Sequence, residues 1–181
     1  MLDVGSIVKG SFGFFGRAHT IQGATRIVGG PAASQTLDVM NSVADVGTIY
    51  EAGANILGAT SFIKSVKLNV NNNLRGQKAI GVFGNADVAA GELALSGTLE
   101  MYMENATYYN KWLQGTNTSL ALGMADSLGN GYMFEMDKVT FNQGSVSASG
   151  RNSDTMLSLP FDAFFNAATN RGIRITRSVN A

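Results

Sequence analysis

The chain has 181 residues, with thirteen Lys and Arg against thirteen Asp and Glu, one histidine and no cysteine. Balanced charge gives no field to draw in nucleic acid or an anionic membrane, and the lack of thiols excludes a disulfide framework and a thiolate metal site. Charged residues make up only 14%, where about 25% is usual; Gly, Ser, Thr and Asn take their place, a mixture that suits a surface covered by other protein and fits a secreted β domain almost as well.

The length suffices for one core, or one core plus an arm. Met1–Ser6 shows no basic segment followed by an apolar run, so no secretory leader is expected. No apolar stretch approaches the ~20 residues of a membrane span, so synthesis in a cytoplasm is the expectation. From Gly5 to Gly16, Val8, Phe12 and Phe14 share a parity and predict a strand. Arg17 to Val46 is polar and aperiodic, which reads as a long projecting loop or arm, because a structureless run of that length inside a compact domain is unusual. Gly47–Ala52 is a short strand. Ser61–Val70 is a longer one, with Phe62, Val66, Leu68 and Val70 on one face and Ser65, Lys67 and Asn69 on the other. Asn71–Gly76 is a turn-rich loop, followed by a glycine-punctuated crossing to Gly91.

Leu93–Glu104 has the clearest alternation in the chain. Leu93, Leu95, Leu99, Met101 and Met103 face one way; Ser96, Thr98, Glu100 and Tyr102 face the other. Gly97 falls on the apolar side, where it admits a bulky neighbour or marks a bulge. A short helix follows over Asn105–Thr116, with Asn105 as N-cap, Tyr109, Trp112 and Leu113 as its apolar stripe, and Gly115 at its C-terminal stop. Further strands are expected at Ser119–Ala125, Tyr132–Met136, Val139–Phe141, Ser145–Ser149, Thr155–Leu159 and Ile173–Arg177. Pro160–Asn166 is read as a turn or short helix between the last two. The pattern predicts a mainly β fold, an antiparallel β-sandwich or barrel with one short flanking helix. Residues 1–58 read as an N-terminal strand plus the arm, and 59–181 as the β-sandwich domain.

Little here looks reactive. His19 is the lone histidine and lies in the arm, where neither an imidazole metal site nor a Ser-His-Asp triad has its other members. Glu100 with Glu104, or Glu135 with Asp137, could form a carboxylate pair for glycoside chemistry, but solvated or subunit-facing carboxylates are the commoner case. Asp126–Gly131 lacks the spacing and closing Glu of a calcium loop and reads as a hairpin turn. Arg171, Arg174 and Arg177 form the only basic cluster, and on a strand Arg174 points away from Arg177, so they make no phosphate-tracking stripe. No cofactor and no metal is expected.

Several pieces occur in a recognisable order: Val66–Arg75, Gly91–Glu104, Tyr109–Gly115, Asp126–Tyr132, Lys138–Gly144, Leu159–Phe164 and Ile173–Ser178. Together, from Ile63 to the C-terminus, they resemble the C-terminal tube repeat of the tail tube (major tail) proteins of long-tailed bacteriophages. Val4–Gly16 resembles the segment that longer members carry between two tube-like halves, which implies a shorter version or one lacking the first repeat. The resemblance implies a structural virion subunit that is not an enzyme. Copies would form hexameric or pseudo-hexameric rings that stack into a DNA-conducting tube, meeting tape measure, tail terminator and tail tip proteins and no membrane. DNA would pass through without specific binding. The implied location is the virion tail, after synthesis in the bacterial host cytoplasm. Ser96, Thr98 and Glu100 are the expected lumen- or subunit-facing residues. Arg17, His19, Arg26, Pro31 and Asp38 mark the arm expected to touch neighbouring rings or subunits. Two alternatives stand beside this reading. One is the tube subunit of a contractile injection or type VI-like secretion system. The other is a stand-alone β-sandwich module that binds carbohydrate or a cell surface through Tyr108, Tyr109 and Trp112.

Overall fold

The structure, a computed structural model, describes residues 1–16, 39–57 and 62–179. The described elements are β1 (Leu2–Asp3), β2 (Thr48–Glu51), β3 (Ala54–Asn55), β4 (Ile63–Asn71), β5 (Arg75–Gln77), β6 (Asp87–Ala89), β7 (Ala94–Tyr102), α1 (Thr107–Leu113), β8 (Thr118–Ala125), β9 (Gly131–Phe141), β10 (Ser145–Ala148), β11 (Thr155–Ala163) and β12 (Arg174–Ser178). They fall into two compact units. The first is Met1–Gly10, Met40–Val70 and Ala94–Ala181; the second is Ser11–Val39 and Asn71–Leu93. Residue 58, the expected end of the N-terminal region, lies outside the described residues, as does most of the expected arm.

The first unit is a curled antiparallel sheet in the order β1-β4-β7-β11-β9-β8-β2-β3, with β10 added to β11 and β12 to β9. Its branching comes from two strands that change partners midway. β11 follows β7 along its length, while its other edge gives Thr155–Ser158 to β10 and Phe161–Ala163 to β9. β9 follows β8, while its other edge gives Gly131–Glu135 to β12 and Val139–Phe141 to β11. Two five-stranded wings result, β1-β4-β7-β11-β10 and β3-β2-β8-β9-β12, joined at the short β9–β11 contact. One core lies between them: Leu95, Leu99, Met101, Leu157, Leu159 and Phe161 from the first wing meet Ile49, Leu120, Leu122, Met136, Val139 and Phe141 from the second, all buried. The fold class expected from the alternation is the one observed. A cavity of about 50 Å³ remains at the seam where Leu2, Ile63 and Val66 approach Val46, Ile49 and Leu57.

Gly97 admits a bulky neighbour. It stands opposite Phe161, and a Cβ there would collide with the Phe161 ring and with the Lys67 carbonyl. Three expectations are corrected. Gly5–Gly16 is no strand, since only Ile7 makes a bridge, to Asn41, and no ladder forms beside Phe12 and Phe14. Pro160 does not end β11, which runs on to Ala163. The Pro160 carbonyl accepts the Asn142 N–H at 3.0 Å, so its missing donor falls on the edge where β11 passes from β10 to β9 and no ladder bond is lost. The two strands expected at Tyr132–Met136 and Val139–Phe141 are one strand. Thr118 pairs with Val139 but Leu120 with Met136, so β9 carries an extra residue; this bulge switches the inward parity from Phe134 and Met136 to Val139 and Phe141.

The helix is shorter and turned relative to expectation. Asn105 Oδ1 accepts from the Thr107 N–H at 2.9 Å, while Ala106 holds the cap position without a side-chain bond. Of the expected stripe, Tyr109 and Trp112 pack against the core while Leu113 is exposed, and Tyr108 is buried. Lys111 causes the rotation: its Nζ reaches the buried Glu51 carboxylate at 2.6 and 2.7 Å, and Thr118 Oγ1 donates to the same carboxylate. Burying that carboxylate demands a cation on this face of the helix. Gly115 ends the helix as expected, at φ +59°.

The second unit has no buried residue among those described. Its β5–β6 hairpin pairs Arg75 with Ala89, Gly76 with Val88 and Gln77 with Asp87. The Ser11–Gly16 segment is tied to it by the Asn85 Nδ2 bond to the Gly16 carbonyl, 3.1 Å, and by Phe15. A Cβ on Gly76 would stand 2.7 Å from the Phe15 ring, so the packing needs a glycine there.

Candidate functional site

The first wing turns its apolar parity to the core and its polar parity outward. Ser96, Thr98 and Glu100 of β7 are partly exposed, and they stand opposite Asp162, Pro160 and Ser158 of β11. Ser158 in turn stands opposite Ser145 of β10. On β4, Ser65 Oγ donates to Glu100 Oε2 at 3.0 Å, placing Ser65, and by alternation Lys67 and Asn69, on this face too. The result is a sheet face of hydroxyls and amides carrying Lys67 against Glu100 and Asp162. The three residues singled out from the alternation therefore lie together. Arg17, His19, Arg26, Pro31 and Asp38 lie outside the described residues.

The remaining candidates resolve into structural parts. Glu135 is ion-paired with Arg174. Asp137 accepts from Arg171 Nε at 2.8 Å and Thr169 Oγ1 at 2.7 Å. Hydrogen bonds from these arginines hold both carboxyls below the usual carboxylate range, which disfavours the protonated form that an acid catalyst needs at neutral pH. The same pairs engage two of the three clustered arginines. Asp126 caps its own hairpin loop. Its Oδ1 accepts the Leu128 and Asn130 N–H groups at 2.9 and 2.8 Å, and the Asn130 side chain is the first cause of its lowered pKa. Among the described residues, no group of three His, Cys, Asp or Glu could hold a metal ion. Trp112 packs edge-on against Tyr109 at 5.1 Å, lies over Gly144 and donates to the Asn142 carbonyl at 3.2 Å. These rings make a helix–sheet joint.

Two surface features were missed in reading the sequence. One is the pair of outer strands β10 and β12, exposed at every residue. Among the described residues each pairs along a single edge. Arg174 and Arg177 guard β12, but Ser145–Ala148 has neither charge nor proline, the usual protections of an open edge. The other is the apolar hairpin tip of the second unit, where Ile80, Val82 and Phe83 are exposed. No helix among the described residues is long and apolar enough to cross a membrane.

A two-winged antiparallel sheet with a polar, weakly charged outer face and an unguarded strand edge defines a structural β domain of the kind that associates with its like. The comparison with protein families agrees: the model described as phage tail tube protein matches residues 2–163, from β1 to the end of β11. The chain belongs to the phage tail tube protein family. It is a structural tail-tube subunit, a component of the phage tail that associates with its own kind and with other tail proteins. A search of curated proteins finds no match.

Proposed function

We propose that this chain is the major subunit of a phage tail tube, closing into hexameric or pseudo-hexameric rings that stack around a DNA-conducting channel. The observation that carries the reading is the family match over residues 2–163 joined to an unguarded edge on β10. Ring closure needs a heterologous contact, in which one surface of a subunit meets a different surface of the next. The β10 edge and the Lys67–Asn71 end of β4, which continues beyond the two residues paired with β1, are the two surfaces. The Ser96–Thr98–Glu100 face then lines the channel. Its mixed, low charge suits DNA that must slide, because phosphate-neutralising cations would grip it. The arm, with Arg17, His19, Arg26, Pro31 and Asp38, makes contacts between rings or neighbours. Tape measure, terminator and tip proteins meet the tube's ends and lumen. Synthesis takes place in the bacterial host cytoplasm, and the product resides in the virion tail.

Purified chain viewed by negative-stain microscopy, with light scattering across a concentration series, tests this directly. Rings or tubes with a central channel are expected. A strictly monomeric particle that binds a glycan array would sink the reading in favour of a carbohydrate-binding module. The chain has no cysteine, so a Ser147→Cys, Asn69→Cys variant reports the edges alone. Oxidised tubes should give a disulfide ladder that stops at the ring number.

A further inference from the structure

The β8–β9 hairpin turns over Asp126–Asn130, and Asn130 opens the single Asn-Gly dipeptide of the chain, Asn130-Gly131. Packing fixes both members. A Cβ on Gly131 would collide with the Met124 carbonyl and the Ala125 side chain, so the hairpin requires glycine there. Asn130 is tied to Asp126 three times. Its N–H donates to Asp126 Oδ1 at 2.8 Å, its Nδ2 donates to Asp126 Oδ2 at 2.9 Å, and its carbonyl accepts the Asp126 N–H at 2.8 Å. The side-chain bond is also the largest cause of the lowered Asp126 pKa, so this carboxylate is matched to an amide and not to a second acid.

Asparagine is thermally labile, and most so before glycine, where no side chain shields the next backbone nitrogen. The Gly131 nitrogen gives up its proton to water and bonds to Asn130 Cγ. The Cγ–Nδ2 bond then breaks and the amide nitrogen leaves as ammonia. Water opens the resulting cyclic imide at either carbonyl, leaving aspartate, or isoaspartate with the main chain running through Cγ. In sum, amide and water give carboxylate and ammonium, with no other reagent. The folded hairpin holds both reacting groups: the amide on Asp126, and Gly131 between Ala125 of β8 and Ser178 of β12. We infer that Asn130 is a covalent modification site, a spontaneous deamidation that the Asp126 clamp restrains and whose product loosens the β8–β9 hairpin. After conversion the Nδ2 donor is gone and a second carboxylate faces Asp126 at hydrogen-bond distance, where like charges disfavour one another.

Peptide mapping by mass spectrometry of the full chain, aged at mildly alkaline pH, tests the site. Folded wild-type chain should convert slowly at Asn130. Asp126→Ala should convert there about tenfold faster, the change expected when one charge-assisted hydrogen bond to the amide is released. Folded chain that never converts at Asn130 would overturn the site, and equal rates in the two chains would overturn the clamp. Wild-type chain aged in urea makes the measurement independent of how well the variant folds. There Asn130 should convert faster than in the folded chain and faster than any other asparagine, and failure of either would overturn the inference. Asn130→Asp reads the consequence. Its melting temperature should fall below wild type at neutral pH, and the gap should narrow in acid, where one of the two facing carboxylates is protonated. Equal melting temperatures at neutral pH would overturn the loosening of the hairpin.

Discussion

The two compact units treat apolar side chains in opposite ways. The first places Leu99, Leu159 and Phe161 at or below 1% exposure between its wings, so its fold rests on burial, the dominant favourable contribution to folding. The second holds Phe12, Phe14 and Ile80 in the open and keeps its form by turns, an Asn85–Gly16 bond and a six-residue ladder. A two-stranded hairpin is at best marginal by itself. One region is held together by a core and the other, among the described residues, by local hydrogen bonds, so mutation can address the two independently.

The strongest way to break the contrast is to cut equivalent apolar side chains in each. Leu99→Ala should cost about 3 kcal/mol of unfolding free energy, within the 2–5 kcal/mol range for emptied core sites. Ile80→Ala should stay within about 0.5 kcal/mol. Urea unfolding of both variants at a concentration below assembly measures the difference. Equal losses would mean that the hairpin is covered in the monomer, and the division of labour would fall.

A second variant probes the polar part of the first unit. Lys111→Met leaves the Glu51 carboxylate, 4% exposed, with Thr118 as its remaining hydrogen-bond donor among those described. A buried charge deprived of its counter-ion is strongly destabilising, by about 3 kcal/mol. Exchanging both members, Glu51→Met with Lys111→Met, should recover part of that loss, as no charge is then left in the core. Thermal melts of the single and double variants decide it. A double variant as weak as the single would show that Lys111 acts by packing its methylene stem.

How far such features could be read in the sequence depended on whether they leave a periodic trace. The alternation of β7 put Ser96, Thr98 and Glu100 on one side and the core on the other, and Gly97 in the apolar row left a bulky neighbour or a bulge open, of which the Phe161 ring is the first. The β9 bulge left a trace too, but one that looks like a break, because an added residue flips the parity. Pro160 misled because its tolerance depends on a change of partner strand, which is a property of the sheet. Lys111 joins Tyr109 and Trp112 on the inward side of the helix, where Leu113 was expected, and left no local trace because its partner Glu51 lies 60 positions earlier in the chain. The hairpin tip left nothing to read: Ile80, Val82 and Phe83 are broken up by glycines, and exposure has no period. The edge of β10 is equally silent, since Ser-Val-Ser-Ala becomes an edge only through the topology.

The smallest expected effect is electrostatic and sharpens the contrast from the other side. All three ion pairs found among the described residues lie in the first unit. Glu135 and Asp137 are held below their ordinary pKa values of 4.5 and 3.8 by hydrogen bonds from Arg174 and Arg171. A carboxyl depressed in the folded state contributes stability that is complete above the unfolded value and lost as pH falls through the folded one. Stability of the monomer should therefore decline as pH drops from about 5 toward 3, with little change between about 5 and 8. An Arg171→Met, Arg174→Met variant should show a shallower decline, and modestly so, because exposed pairs contribute little. Thermal melts of both chains between about pH 3 and 8 measure the two slopes. Equal declines in the two chains would show that these pairs contribute nothing to stability, and the loss of stability in acid would then belong to other carboxylates.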